Sequence, residues 1–488
     1  MTRIGRNTAM LLAFAAVDGV LGWVQLKWLA LHWGASGMGT FAVLLSAGGV
    51  LTLFFHLGLP LLVTRWVASR EGAGRPEEAA PVTLAALAWC LALGGLSTLA
   101  VFLLPAGSRT FWAPLLPAAR ALPWTVLFFA TTAARQILFA VWNGRRRMEL
   151  PSILDALQIA VVTARLFAPR PLDLEGFFRW NALTSVGVVL VAMVLLVPEL
   201  WKRSRGAPPL SSDRELPGYA FWSGMTSVTA LGFDYIDRLA LASYLSAADV
   251  SYFHVPAKWL QFLRRLLAQP LQALFPELAR GSLADRRGAL GSFVELYSYL
   301  GLLSGVALAL SPAAFIHLLA TPEFDRGIPV LRILALVPPL MGIYAPLTTA
   351  LRAEGSMRQG AVSDFLWVGS YLLSGALLIG PYGPSGLALG QVMASLVSLV
   401  WNVEASRRRG WLALPVGSVL RQWLLAAVAY LLMSRFGFGS ASFGTGLLGT
   451  ALFALAWRLT GGLSAASRRE LHPRLPGPLR PWAAAILG

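Results

Sequence analysis

The stretch Tyr219–Pro276, YAFWSGMTSVTALGFDYIDRLALASYLSAADVSYFHVPAKWLQFLRRLLAQPLQALFP, holds two apolar runs joined by a short polar turn, Ser246-Ala-Ala-Asp-Val-Ser251. Each run is long enough to cross a bilayer, which takes roughly 20 residues at about 1.5 Å rise. Yet the runs carry Asp234, Asp237, Arg238, Lys258, Arg264 and Arg265. A charge at membrane depth costs about 2.5–3.5 kcal/mol on insertion scales, so it faces protein or water rather than lipid. Helical phase agrees. At about 100° per residue, Lys258, Gln261, Arg265, Gln269 and Gln272 fall in one wedge roughly 80° wide. On the preceding run Tyr219, Ser223, Ser227, Asp234, Asp237 and Arg238 fall within about 100°. Two adjacent membrane helices with polar stripes predict a hydrated cavity between them.

The composition supports spans throughout. The 488 residues are 56% hydrophobic and 13% charged, against roughly 25% charged in a soluble domain. The chain therefore reads as a polytopic helical membrane protein. Met1–Leu31 reads as a first span rather than a cleaved signal, because its apolar run is too long, contains Asp18 and Lys27, and lacks a small-residue cleavage site. Cys90 is the single cysteine, which excludes an intrachain disulfide and a thiolate metal site. The net charge of +17 comes from basic residues that alternate with spans instead of forming one patch, so no nucleic-acid partner is expected.

Fourteen spans are expected, at about 8–31, 39–62, 82–104, 121–142, 151–168, 176–198, 217–244, 250–275, 291–311, 328–350, 361–380, 385–403, 412–433 and 442–460. Alternate connections hold the arginines: Arg3 and Arg6; Arg65, Arg70 and Arg75; Arg145–Arg147; Lys202, Arg203, Arg205 and Arg214. The same side takes Arg280, Arg286 and Arg287; Arg352 and Arg358; Arg407–Arg409; and Arg468, Arg469, Arg474 and Arg480. The opposite side has only Arg109, Arg120, Arg170, Arg326 and Arg435. The positive-inside rule then places both termini in the cytoplasm. The tail from Gly461, rich in Pro, Gly and Arg, is expected to be a loosely ordered, membrane-skimming end.

An internal repeat organises the spans. Trp33-Gly-Ala-Ser-Gly-Met-Gly-Thr-Phe41 aligns with Tyr244-Leu-Ser-Ala-Ala-Asp-Val-Ser-Tyr252, and Asn143-Gly144 with Glu354-Gly355, at one offset. Pro60 and Pro270, and Gly176 and Gly386, repeat one residue closer. The offset covers six helices, so both copies have the same orientation, with binding expected near mid-membrane between the halves. The expected fold is all-α: two parallel six-helix bundles at 1–210 and 211–410, two additional transmembrane helices at 411–460, and a basic tail at 461–488.

Other polar residues lie within spans. Asn7, Asp18, Gln25 and His32 share one face of span one, within roughly 40°. His56 lies in span two, Arg135 in span four, and Asp155, Gln158 and Arg165 on one face of span five. The residues carried forward as cavity candidates are Lys258, Gln261, Arg265, Arg135, Arg165 and Arg238; Asp18, His56, Asp234 and Asp237 are candidates for coupling or for structural pairing. Each has two readings. Asp234 and Arg238, four apart, suit an ion pair along one helix as well as a cavity wall. His56 suits proton coupling or a hydrogen-bonded packing role. For Lys258 and Arg265 no acid lies on the same expected helix to neutralise them, and a phosphate would suit them; Arg264 falls off the stripe and could equally contact headgroups. Gly444, Gly446 and Gly449 spell GxGxxG inside an apolar span with no strand before it, which marks helix packing and not nucleotide binding. No hydrolase or metalloprotease motif is present, so no enzyme, cofactor or metal is expected.

Arg6-Asn7-Thr8, the Trp33–Phe41 turn, His56-Leu-Gly-Leu-Pro60 and Arg65 together resemble the opening of polysaccharide-export flippases, the O-antigen-flippase-like branch of the multidrug/oligosaccharidyl-lipid/polysaccharide superfamily. Further matches are Ile236-Asp237-Arg238, Ala248-Asp-Val-Ser-Tyr252, Phe275-Pro-Glu-Leu-Ala279, Ala350-Leu-Arg-Ala-Glu-Gly355 and Tyr382-Gly-Pro-Ser-Gly386. Ser251 departs from the family's usual glycine. The resemblance covers spans one to twelve. It implies a flippase that moves a polyprenyl-diphosphate-linked oligosaccharide across the bacterial cytoplasmic membrane by alternating access. Its implied partners are the lipid-linked glycan, membrane lipids, and a glycan polymerase or glycosyltransferases. A small-molecule or multidrug cation antiporter of the same superfamily is the alternative, and a non-transporting scaffold the third reading.

Overall fold

The computed structural model describes residues 3–103, 120–145, 147–207, single positions within 218–227, 235–280, 283–353, 357–410, 415–435 and 442–471. Among them there are helices and turns but no strand. Every one of the fourteen expected spans contains helix. The chain divides into two compact units, 1–250 and 251–488.

The first unit opens with α1 (Arg3–His56), 54 residues in which two helical stretches meet at a break inside the expected connection between spans one and two. Its only break is at Gly34, with φ 60° and ψ −172°, a conformation that glycine adopts without steric penalty. Neighbouring anchors set the bend there. Trp33 Nε1 donates to the Leu172 carbonyl at 3.0 Å, and the Trp33, Phe41 and Phe177 rings meet edge to face at 5.6–6.0 Å. The chain turns again at Leu57 and Gly58, with φ 44° and 77°, and α2 (Leu59–Gly72) starts with Pro60 in its first turn, where a missing N–H is harmless. Then follow α3 (Ala79–Leu103), α4 (Leu122–Gly144), α5 (Glu149–Leu166) and α6 (Leu174–Ser204). An apolar core from Leu62, Trp66, Leu87, Ile137, Trp142 and Leu196 joins α2, α3, α4 and α6. The ends of α2, α4 and α6 are tied together: Arg145 bonds Glu71 and Glu199 at 2.9 Å each, and Arg203 bonds Glu199 at 2.5 Å. These are ends assigned to one side of the membrane by their arginines.

The two repeated turns touch within this unit. α7 (Ile236–Tyr244) ends at the turn where Ser246 Oγ donates to the Asp249 carboxylate at 2.6 Å. A Cβ on Gly39 would lie 1.6 Å from the Ala247 carbonyl, and one on Gly49 2.4 Å from the Tyr235 ring. Span two thus packs backbone-close on span seven, as glycines permit. Gly58 completes the contact: Ser223 Oγ donates to its carbonyl at 2.6 Å, and a Cβ would reach 2.4 Å from the Ser223 carbonyl. Gly58→Ala should therefore lower stability by about 1–3 kcal/mol, since it adds backbone strain to a clash. Gly187→Ala, with nothing within 4 Å, should leave the unfolding temperature of the purified protein unchanged or slightly raised.

The second unit contains most of α8 (Ala247–Arg280), then α9 (Leu283–Leu310), a short helix α10 (Pro312–Leu319), α11 (Ile328–Leu334), α12 (Val337–Ala353), α13 (Met357–Tyr382) and α14 (Pro384–Arg408). Expected span ten is broken into α11 and α12 with a 43° bend. Pro338 and Pro339 lack the N–H groups that would continue the ladder. The final helices are α15 (Val416–Arg435) and α16 (Phe443–Leu459). They attach to α9: Tyr299 stacks on Trp457 at 3.8 Å and on Phe453 at 5.6 Å. A Cβ on Gly449 would meet Leu310 at 2.1 Å, so the GxGxxG glycines serve close packing on α9. The described part of the tail, residues 461–471, differs from expectation. Ala465–Leu471 form a helix, α17, held to α9 by Glu295.

Candidate functional site

In the first unit the polar faces of spans one, four and five converge. Arg135 on α4 lies between helices, its side chain 16% exposed, and pairs with Asp155 on α5 at 2.9 Å. The Gln158 side-chain carbonyl accepts from the same guanidinium, which also lies over the Phe139 ring at 5.7 Å. Asp18 of α1 is within electrostatic reach of Arg135. About two turns beyond Asp18, Gln25 donates to Thr163 Oγ1 at 2.9 Å and so fixes α1 against α5. Arg165 is not part of this cluster; it donates to the Arg170 carbonyl at 3.1 Å, at the end of α5. His32 is exposed and stacks on Trp28 at 3.9 Å.

His56 is buried at the break between α1 and α2, and its Nδ1 accepts from the Gly58 N–H at 3.2 Å. That bond holds the ring in the tautomer with hydrogen on Nε2. At the start of α7, Arg238 pairs with adjacent Asp237 at 3.0 Å, both buried. Asp237 Oδ1 also accepts the Arg238 backbone N–H at 2.7 Å. Asp234, Tyr219 and the side chains of Asn7, Gln269 and Gln272 lie outside the described residues.

In the second unit α8 has two faces. Tyr252 and Pro256 abut Gly327, Trp259 Nε1 donates to the Phe315 carbonyl at 2.9 Å, and Leu267 enters the core with Val294 and Leu347. By helical phase Lys258, Gln261 and Arg265 lie opposite these anchors, on the face turned away from the unit's own core. Lys258 and Gln261 are half-buried and Arg265 is exposed. Arg264, off the stripe as read and able there to contact headgroups, lies over the Trp367 ring at 5.4 Å. It is also within electrostatic reach of Tyr344. Nearby Arg352 and Asp364 pair at 2.5 Å between α12 and α13, helices that correspond by the repeat to α4 and α5, which carry the Arg135–Asp155 pair.

Sequence reasoning missed Asp364 and Glu295, and named Arg264 without its place over Trp367. Each finds its partners on other helices, and the only available signal was an ionisable residue inside an apolar run. Electrostatically the site is uneven. Arg135, Arg238 and Arg352 each have a carboxylate partner, whereas no acid lies within ion-pair distance of Arg265 among the described residues. No group of three His, Cys, Asp or Glu residues that could hold a metal occurs among the described residues.

Known structures share this architecture. The lipid II flippase MurJ in its inward closed conformation superposes with a TM-score of 0.67, over 92% of this chain and 99% of that one, at 13% identity. A multidrug resistance MATE family transporter of the MOP superfamily, inward-facing, gives 0.66 over 82% and 98%, also at 13% identity. The Vibrio cholerae MATE transporter VcmN in its bent form gives 0.56 over 84% and 99%, at 16% identity. At such identities the likeness establishes a MurJ/MATE-like polytopic membrane fold. No curated protein sequence gives a significant match. The profile of one family, described as polysaccharide biosynthesis protein, matches residues 4–282, more than half of the chain. With that match and this fold, the chain belongs to the polysaccharide biosynthesis protein family of membrane proteins.

Proposed function

We propose that this protein is a flippase that turns a polyprenyl-diphosphate-linked oligosaccharide from the cytoplasmic to the outer leaflet of the bacterial cytoplasmic membrane, with both termini cytoplasmic. The observation that carries the reading is the Lys258, Gln261 and Arg265 face of α8, turned away from its unit's core within a chain of this family. The physics of such a cargo fits that face. A polyprenyl tail is at home among acyl chains, but a diphosphate with sugars is not, so only the head needs a polar path. An ammonium and a guanidinium supply charge-assisted donors to phosphate oxygens, and Gln261 offers an amide to sugar hydroxyls. No bond is made or broken, which suits a chain that moves its substrate and leaves the chemistry to glycosyltransferases or a polymerase before and after it.

The second reading, cation antiport, has the MATE-like fold and the Asp18–Arg135–Asp155 cluster in its favour. A cationic face opposes it, because a cation gains nothing from Lys258 and Arg265. Purified protein in sealed vesicles separates the two. The flippase reading expects a fluorescent polyprenyl-diphosphate oligosaccharide to become accessible on the far leaflet at a rate above protein-free vesicles, with no uptake of a fluorescent organic cation under a proton gradient. Cation uptake without lipid translocation would overturn it.

A further inference from the structure

Glu295 of α9 is fully buried, and the groups that solvate its carboxylate come from other segments. Ser418 Oγ at the start of α15, the Ser464 N–H and the Ser464 Oγ, the last two at 2.8 Å, and Ser467 Oγ at 2.5 Å all donate to it. A carboxylate has about four lone-pair sites, so these donors fill it. All four are neutral, and three of them belong to the segment after α16. The charge on Glu295 is therefore satisfied only while that segment is docked.

The segment has little else to hold it. Leu463 enters the core with Tyr299, Phe453 and Trp457, and Ser467 is buried, but Ala465, Arg468 and Arg469 are exposed. Gly461 and Gly462, with φ 104° and 58°, shape the turn that leads into it. The start of α15 depends on the same contacts. None of residues 416–421 is buried; Ser418 shares the Glu295 carboxylate, and the Arg421 guanidinium donates to the Thr460 carbonyl and, at 2.5 Å, to the Gly462 carbonyl. The first tie independent of the tail is the fully buried Gln422, whose Nε2 donates to the Glu295 backbone carbonyl at 3.2 Å. A cavity of about 240 Å³, bordered by Ser418, Arg421, Ser464 and Arg468, lies beside these contacts, so no packed layer has to be displaced for them to part.

We infer that residues 461–471 are a strap with Glu295 as its latch: the strap lifts about the Gly461–Gly462 turn and frees α15 as far as Gln422, while α9 and α16 stay in place. Segments held by few apolar contacts and by polar contacts at an open edge are the ones that open first. Lifting breaks the Ser464, Ser467 and Arg421 bonds together, which is why the strap and the start of α15 move as one. Hydrogen exchange of the full-length protein in detergent, read by mass spectrometry, tests this. Glu295→Gln takes the charge from four bonds and should speed exchange at 461–469 and at 419–422 by a common factor of about tenfold or more, with α13 and α14 unchanged. Ser467→Ala should give the same pattern with a smaller factor, and it serves as the test where Glu295→Gln does not fold. The two substitutions together should exchange no faster than Glu295→Gln alone, because both act through one contact; a combined factor equal to the product of the two would remove Glu295 as the latch. Exchange unchanged in both segments, faster in the tail alone, or faster by the same factor throughout α13 and α14 would each overturn the strap. No cargo is present in the measurement, so its outcome is independent of whether the flippase reading stands.

Discussion

Cells whose only copy carries Lys258→Ala with Arg265→Ala are expected to insert the protein normally and to export no surface glycan above background. Neither side chain belongs to the apolar core: Arg265 is exposed and Lys258 half-buried, on the face of α8 opposite its packing anchors. Removing exposed Arg265 should leave the unfolding temperature within a degree or two, because surface substitutions change stability by about 0.5 kcal/mol or less, and the same melt on Lys258→Ala separates folding from cargo. Each charged contact to a diphosphate contributes about 1.5–3 kcal/mol, so each single variant should slow translocation about tenfold or more and the pair about a hundredfold or more. Exchanging the two charges, Lys258→Arg with Arg265→Lys, should retain most transport. Arg264→Ala gives the contrast. Its guanidinium lies over Trp367 within the unit, and losing that contact should cost about 0.5–2 kcal/mol of stability, a phenotype of folding rather than of cargo. Normal export by the Lys258/Arg265 double variant would remove the cationic face from the mechanism.

That contrast also marks where the sequence stops being legible. The spans could be read because a bilayer demands long apolar runs and the flanking arginines alternate sides; every expected span contains helix. The connection at residues 32–38 could be placed, with the break at Gly34 inside it, but its form could not be read. Glycines signal a turn and a kink alike, and the outcome depends on Trp33 reaching Leu172 and Phe177 from a helix some 140 residues later. The broken span ten was written in Pro338 and Pro339, but proline-bearing membrane helices run straight or bend according to their neighbours. Within the site, spacing along one helix suggested Asp234 for Arg238; Asp234 lies outside the described residues, and Asp237 adds a partner from the adjacent position. Arg135 with Asp155, Arg352 with Asp364, and Glu295 with three serines of α15 and the tail are contacts between helices. No periodicity holds that information.

The Arg135–Asp155 pair offers the second large effect, and it separates structure from transport. Asp155→Ala should destabilise the protein by about 2–4 kcal/mol, somewhat below the 3–5 kcal/mol for breaking a fully buried pair, because the Asp155 side chain is itself 40% exposed and screening there reduces the loss. The energy comes chiefly from the charge left behind. Arg135, 16% exposed, keeps only Gln158 as a hydrogen-bond partner and the more distant field of Asp18. It follows that deleting the second charge should restore what deleting the first removed: Arg135→Met with Asp155→Leu should recover most of the unfolding temperature, since apolar replacement of a buried ion pair is often neutral or stabilising. If the pair serves only to hold α4 against α5, the double variant should also recover glycan export. If the α4–α5 contact must open and close during the transport cycle, a permanently apolar contact should leave the protein stable and export reduced about tenfold or more, because one conformation is then favoured over the other. The alternating-access reading expects the second result: stability regained, transport not. A double variant that is stable and exports at the wild-type rate would confine Arg135 and Asp155 to architecture, and would leave the α8 face as the sole polar element that the proposed mechanism requires.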